Sequence, residues 1–202
     1  MKIAVLGSNG FIGSYLFQYL ASKGYNVIPV TRNTLDITDN LEVQKWLRRV
    51  WPDIIVNAAI SGGGPAVDDI CYNDVQQNLT IFFNFFNSPV HFKYINIGSG
   101  AEFGRDKDLY LRQENEILFS KPIDSYGFSK NIIARAILEK PNFYTLRLFG
   151  CFHSSEPNTR LFKKFLSGQL PVLQNKWFDY FSLTDFRSEE HTSELQSRFG
   201  IS

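Results

Sequence analysis

The chain is short of cysteine, shows no excess of charge of either sign and contains no long apolar run, and each shortage closes off a class of protein. Cys71 and Cys151 are the two cysteines among 202 residues. Widely separated, they form no disulfide framework, and this suits a reducing compartment. Against 21 Lys and Arg stand 20 Asp and Glu, a net charge of +1. With no basic run, the electrostatic footprint of a nucleic-acid binder is missing, although small anionic ligands stay open. No stretch approaches the ~18 apolar residues of a membrane span. The opening MKIAVLGSNG has too short an apolar run for a signal peptide. A soluble cytoplasmic protein is expected, with no nucleic-acid or membrane partner and no metal site.

What is present is apolar and aromatic: 44% of residues are hydrophobic and 19 are Phe, enough for one domain with a sizeable core. Short β-rich runs alternate with helical stretches. KIAVLG (2–7), YNVIPVT (25–31), DIIVNAA (53–59), HFKYINIGS (91–99) and NFYTLRLFG (142–150) read as strands. Helices are expected from Phe11 to Lys23, over 41–50 with Asp39 as its N-cap, from about Ala66 to Asn87, and over 125–140. A short piece, LDI (35–37), read as a further short strand, leads into the second of these helices. Such β-α-β-α order predicts an α/β fold, a doubly wound parallel sheet with helices on both faces.

The first turn, Gly7-Ser-Asn9-Gly10-Phe11-Ile12-Gly13, spaces its glycines three and three between a strand and a helix. Gly7 lets the chain turn sharply, Gly10 leaves room for a pyrophosphate at the helix N-terminus, and Gly13 allows close helix–strand packing. Binding of a dinucleotide is expected here. The end of the second strand, Val30-Thr31-Arg32-Asn33, has no acid before Asp36 to accept ribose hydroxyls. Arg32 is either a bidentate ligand of a 2′-phosphate or an exposed loop arginine; the first reading favours NADP over NAD.

The glycine turn, Asn57-Ala58-Ala59, Asn78, Gly98-Ser99-Gly100 and Tyr126-Gly-Phe-Ser-Lys130 together resemble the extended short-chain dehydrogenase/reductase family, from Met1 to about Phe186. That family includes NAD(P)-dependent sugar-nucleotide epimerases, dehydratases and reductases. The resemblance implies a Rossmann domain over 1–186 that includes the start of a substrate lobe, a nucleotide-sugar substrate, and NADP or NAD as cofactor. It also implies roles: Tyr126 as general acid/base, Lys130 lowering the tyrosine pKa and bonding the nicotinamide ribose, and Ser99 orienting the substrate oxygen. The chemistry agrees, because hydride exchange at a carbinol carbon needs a proton moved at its oxygen, and a nearby ammonium favours phenolate. Spacing i, i+4 puts Lys130 on the helix face beside Tyr126; in isolation the same pair would be a solvated stripe.

Other matches leave two readings each. Asp36 and Ile37 resemble an adenine-contacting pair, or LDITD is a capping turn. Asn57, Ala58 and Ala59 resemble the platform under the cofactor, or simply end a buried strand. Asn78 resembles the asparagine that supports a proton relay in relatives, or is a polar helix position. Phe149, followed by Gly150, resembles a nicotinamide contact, or is a core aromatic. WFDYFSLTD (177–185) resembles the segment preceding the substrate lobe.

Within the family, TRNTLDITD, the Gly62-Gly63-Gly64 loop and the phenylalanine-rich helix are most similar to GDP-fucose synthase-like members. Those carry a cysteine after the serine and a histidine further on; here stand Ala101 and, by placement, Arg160, with His153 nearby. Ala101 supplies no base for a carbon acid, so keto-sugar reduction, or epimerisation by transient oxidation, is favoured over that route. Cys71 and Cys151, as lone thiols, read as buried packing residues. A non-catalytic dinucleotide-sensing protein is the alternative. Relatives often dimerise through the helices around Phe82–Phe86 and 125–140, so each of those phenylalanines reads either as core or as part of a homodimer interface.

Residues 187–202, RSEEHTSELQSRFGIS, lose the apolar periodicity. RSEEHTSELQS resembles the in-frame translation of a sequencing-library adapter, so an artefactual tail is expected, with the natural chain cut near Phe186 and the protein as written inactive.

Overall fold

The computed structural model describes residues 1–61, 71–105, 109, 112–169 and 180–185. The triple-glycine loop at 62–64 and the tail at 187–202 lie outside the described residues, as do the first three residues of the segment 177–185.

Two compact units follow one another, Met1–Arg147 and Leu148–Ser202. The first is built on a five-stranded sheet of β1 (Lys2–Leu6), β2 (Asn26–Val30), β3 (Ile54–Asn57), β4 (Lys93–Ser99) and β5 (Phe143–Leu148). Its order is β2-β1-β3-β4-β5. The pairs β1·β2, β1·β3 and β3·β4 are parallel, in register Ile3↔Val27, Ile3↔Ile54 and Ile54↔Lys93. Parallel neighbours need crossovers, supplied by α1 (Phe11–Ser22), α2 (Asn40–Val50), α3 (Tyr72–Phe86) and α4 (Ser125–Leu138). β2 carries Pro29, which has no N–H to give a ladder, and β2 accordingly lies at the sheet edge. The LDI piece at 35–37 is coil and turn rather than a strand; Asp36 folds back on Thr38 there instead of pairing.

Both faces of the sheet are covered, as expected for parallel strands. On β1, Ala4 and Leu6 join one cluster with Ile55, Tyr94, Val43, Trp46, Leu47, Phe82, Phe85, Ile133 and Ile137, which come from β3, β4, α2, α3 and α4. Ile3 and Val5, alternating with them, are also buried, and α1 packs on β1 and β2. Helix α2 shows how sequence sets this out. Val43, Trp46, Leu47 and Val50 recur at helical spacing on one face, while Asp39 accepts from the Glu42 N–H at 3.0 Å to open the helix. Trp51 closes it in the left-handed conformation, φ 50°, directly before Pro52.

The phenylalanines of α3 separate by face. Phe82 and Phe85 are fully buried, whereas Phe83 and Phe86 pack half-buried against the core. Phe82 meets Tyr94 edge-on at 6.0 Å between centroids, and Tyr94 stacks on Phe143 at 5.0 Å, geometries that suit the ring quadrupoles.

The second unit contains β6 (Cys151–Phe152) paired parallel with β7 (Phe181–Ser182), and α5 (Leu161–Leu166). Among the described residues no helix is long and apolar enough to cross a membrane. Cys151 is buried, but Cys71 is exposed at the start of α3, so the packing expectation fails for Cys71: that position precedes the first buried residue of the helix.

Replacing Phe82 by Ala should destabilise the protein by roughly 3–5 kcal/mol. The same change at the exposed Leu41 should stay within about 0.5 kcal/mol, both measured by urea unfolding.

Candidate active site

Strand order 2-1-3-4-5 puts the topological switch point between β1 and β3, where open α/β sheets bind ligands beyond the carboxyl ends of their strands. The glycine turn lies there. Gly7 has φ +73°, and a Cβ on it would stand 2.8 Å from the backbone N and Cα of Ala59 and 3.0 Å from the carbonyl carbon of Ala58. The turn therefore rests directly on the Asn57-Ala58-Ala59 segment. A Cβ on Gly13 would run into the Gly7 carbonyl, so α1 can approach the turn only with glycine at that position. Gly10 is different: its one near neighbour would be the Gly7 oxygen at 3.2 Å, and no side chain caps α1. Asn9 and Gly10 are exposed, Phe11 and Ile12 half-buried. A turn closed underneath and open above the helix N-terminus fits a pyrophosphate.

Beside this turn lies the end of β2, since the Gly7 N–H donates to the Val30 carbonyl at 2.9 Å. Arg32 follows two residues later, exposed in a turn held by Thr31 and Thr34, which exchange hydrogen bonds at 2.9 and 3.0 Å. Asp36 has one oxygen occupied by the Thr38 hydroxyl and N–H, at 2.6 and 2.9 Å. These two bonds hold its carboxyl below the usual range. Ile37 packs against the core while its carbonyl accepts from Asn84 Nδ2 at 3.0 Å. Phe149 stands in the second unit, half-buried in the bend before β6.

The ends of β3 and β4 are joined by side chains. Asn57 Oδ1 accepts from the Ala59 N–H at 3.1 Å, and its Nδ2 donates to Asn96 Oδ1 at 3.3 Å. Asn78, buried in α3, accepts from the Ser61 N–H at 2.8 Å and donates to the Ser61 carbonyl at 3.0 Å and to Ser129 Oγ at 3.3 Å. It ties the chain after β3 to α4.

Ser99, Tyr126 and Lys130 are brought together. Asp124 opens α4, its Oδ1 accepting from the Gly127 N–H at 2.9 Å. Tyr126, half-buried in the first turn, has the Ser99 hydroxyl among the groups near enough to favour its ionised form. Lys130 is no surface residue: it is 4% exposed, with Nζ donating to the Ile97 carbonyl at 2.6 Å and standing 6.0 Å from the Tyr126 ring centroid. Burial lowers its pKa to about 8, against a smaller upward pull from Glu102. Burial raises the Tyr126 phenol; Ser99 and Arg105 counter this, and Glu102 and Asp124 reinforce it.

Three of these groups escaped the sequence reading. Glu102, fully buried, accepts from the Ser99 N–H at 2.9 Å and pairs with Arg147 Nε at 2.7 Å. Gly98 leaves the space for it, since a Cβ there would meet Glu102 Oε1. Arg105 lies over the Tyr126 ring, 4.8 Å from Cζ to centroid. A capping box at Ser99-Gly-Ala-Glu102 was the available signal for Glu102; nothing local marks Arg147 or Arg105. Among the described residues no group of three or more His, Cys, Asp or Glu is placed to hold a metal.

A doubly wound parallel sheet with a glycine turn at its switch point defines a nucleotide-binding α/β protein of the Rossmann kind. Residues 3–165 match the NAD dependent epimerase/dehydratase family, and the chain belongs to it. It is 28% identical over 161 residues to a GDP-L-fucose synthase of Azorhizobium caulinodans, covering 74% of this chain and 51% of that protein. To a GDP-6-deoxy-D-talose 4-dehydrogenase of Aggregatibacter actinomycetemcomitans it is 29% identical over 144 residues, 68% of this chain and 47% of that one. Among solved structures, the enzyme WbmG of Bordetella bronchiseptica in complex with NAD shares the fold with TM-score 0.73 and 18% identity, covering 92% of this chain and 66% of that chain. GDP-mannoheptose C4 reductase of Campylobacter jejuni with NADP bound gives TM-score 0.61 and 23% identity, covering 75% and 48%. The chain thus spans about half the length of the curated relatives it matches.

The Lys130 environment has a pH signature. Below pH about 8 the lysine is charged in both folded and unfolded states, and its burial cost is fully present. As pH rises toward 10.5 the folded state has given up the proton that the unfolded state still holds, so this cost is relieved. Urea unfolding of the protein and of Lys130→Met from about pH 7 to about pH 10 should show the lysine form gaining about 3 kcal/mol on the variant.

Proposed function

We propose that this protein is an NADP(H)-dependent oxidoreductase acting on a nucleotide-linked sugar, reducing a ketone on the sugar ring or, run through oxidation, epimerising a ring carbon. The carrying observation is the meeting of Ser99, Tyr126 and Lys130 at the carboxyl end of β4, in a sheet whose switch point holds a glycine turn open above α1. The nicotinamide, when bound, supplies or accepts the hydride. The Ser99 hydroxyl lies near the Tyr126 phenol, so a carbonyl oxygen seated between them receives two donors. The tyrosine then delivers or removes the proton at that oxygen. Lys130, buried with its ammonium on the Ile97 carbonyl, is held on the same helix face and fits a ribose contact.

Arg32, exposed beside the glycine turn and without an ion-pair partner among the described residues, fits the 2′-phosphate and favours NADP; NAD is the alternative. The reductase reading draws on the absence of a base at Ala101, which is buried and carries a methyl group where a carbon-acid route needs a thiol or imidazole. Arg160, by placement the other half of that route, is engaged with the Cys151 carbonyl at 2.7 Å and with Glu156. Half-buried Phe83 and Phe86 are the residues of α3 that homodimer pairing would use. The non-catalytic alternative, a dinucleotide sensor, has no use for a paired serine and tyrosine at this position.

Fluorescence titration should show NADPH binding more tightly than NADH. Arg32→Ala should weaken NADPH by roughly tenfold while leaving NADH unchanged, and tighter NADH in the parent protein would remove Arg32 from the argument. For the chemistry, Tyr126→Phe should lower turnover of a 4-keto nucleotide sugar by at least about a hundredfold with NADPH affinity intact. Full turnover by that variant would refute the assignment.

A further inference from the structure

The chain between β2 and α2 is pinned at three places. At its near end Thr31 and Thr34 close a turn on each other. In its middle Leu35 is buried and Ile37 packs against the core. At its far end a side chain arrives from α3: Asn84, 9% exposed, donates from Nδ2 to the carbonyls of both Ile37 and Thr38, each at 3.0 Å. Asn84 is itself held, because its backbone carbonyl accepts from Gln44 Nε2 of α2 at 2.8 Å. Gln44 also donates to Asn40 Oδ1 at 3.2 Å and accepts from the Ser88 hydroxyl at 3.0 Å. The loop, α2 and α3 are thus closed into a ring of hydrogen bonds. The ring leaves Asp36 exposed, with Thr38 orienting its carboxylate through hydroxyl and N–H.

We propose that Asn84 is a positioning residue of the dinucleotide site. It fixes the Ile37 and Thr38 peptides and, through them, the Asp36 carboxylate and the Ile37 side chain that meet the adenosine half of the cofactor. The inference rests on the cofactor reading above, with Asp36 and Ile37 as the adenine contacts that the family resemblance implies. Asn84 acts through those residues rather than on the ligand. An asparagine amide suits the place, since one planar NH2 carries two donors and two successive carbonyls receive them. A loop left free would have to be ordered each time a ligand binds, at a cost in affinity, whereas one fixed during folding carries no such cost at that moment. Arg32 is held by the separate Thr31–Thr34 turn, so the influence of Asn84 falls on adenosine and is the same with or without a 2′-phosphate.

Asn84→Leu removes both donors at similar size and adds no charge, and Asn84→Ala serves as the second variant. In fluorescence titrations NADPH and NADH should both weaken by the same factor, roughly tenfold, unlike the effect of Arg32→Ala. AMP, measured by displacement of NADPH, should lose that factor too, which places the whole loss in the adenosine half. Hydrogen exchange read by mass spectrometry without ligand should quicken over residues 34–39 and stay unchanged in β1 and β3. Unchanged exchange over 34–39 overturns the proposal, as does exchange quickened throughout the sheet, the mark of a merely structural role. Undiminished AMP affinity in both variants overturns it as well. A parent protein that binds neither dinucleotide overturns the cofactor reading and this role with it, whereas a parent that binds both, with affinities unaltered in the variants, overturns the role of Asn84 alone.

Discussion

The carboxylate of Glu102 is sealed from water at the end of β4, and the candidate site is assembled around it. One oxygen takes the Ser99 N–H and the other takes Arg147 from β5, whose guanidinium continues to Glu114 at 2.6 Å. The Glu102 carbonyl accepts from Asn131 of α4 at 2.8 Å. A single residue therefore links two strands and the helix that carries Tyr126 and Lys130. Burial pushes its pKa up, and Arg147 pulls it back. Removing either member of such a pair leaves an uncompensated buried charge, a loss of about 3–5 kcal/mol, although the intact pair is no strong source of stability. What it contributes is placement, because Ser99 cannot move without breaking the bond that keeps Glu102 satisfied.

Much of the first unit could be read from residue order because its signals are local. Strand runs, the helical spacing of Val43, Trp46 and Leu47, and the Asp39 cap depend on neighbours a few positions away. The glycines at 7, 10 and 13 could be read for the same reason, and the backbone now gives each a separate cause: positive φ at Gly7, the Gly7 oxygen 3.2 Å from where a Cβ would stand at Gly10, and close helix approach at Gly13. The limits were equally physical. LDI has strand-like composition but follows directly on a threonine-closed turn, and Asp36 satisfies Thr38 locally instead of a ladder. Phenylalanines at 82, 83, 85 and 86 occupy more than one face of a helix, so spacing could not sort core from flank. Packing against Tyr94 does that, since the buried Phe82 and Phe85 meet its ring at 6.0 and 5.9 Å between centroids.

The candidate site was legible as a set of residue types and illegible as a set of charges. Ser99, Tyr126 and Lys130 were candidates because the motifs around them resemble those of a family. Lys130 stands one turn after Tyr126, but the phenol responds to Arg105, Glu102 and Asp124. Arg105 carries no local signal, Glu102 and Asp124 show only as helix caps, and Arg147, which makes a buried Glu102 tolerable, is 45 positions away in sequence. Family membership narrows the chemistry in the same partial way. A fold shared with reductases that bind NADP and an enzyme that binds NAD fixes the frame, while substrate choice depends on side chains grafted onto it.

Two cations beside one tyrosine would be redundant if they shared an environment, and the structure gives them different ones. Lys130 is buried against a strand carbonyl, where desolvation works against its charge and its proton is loosely held. Arg105 is 35% exposed, so water and Asp124 share the cost of keeping it charged. The buried ammonium is therefore suited to fixed geometry, holding α4 to the end of β4 and presenting donors in one place. The guanidinium suits a charge that remains as pH varies. Position and charge are thereby carried by different residues around one ring.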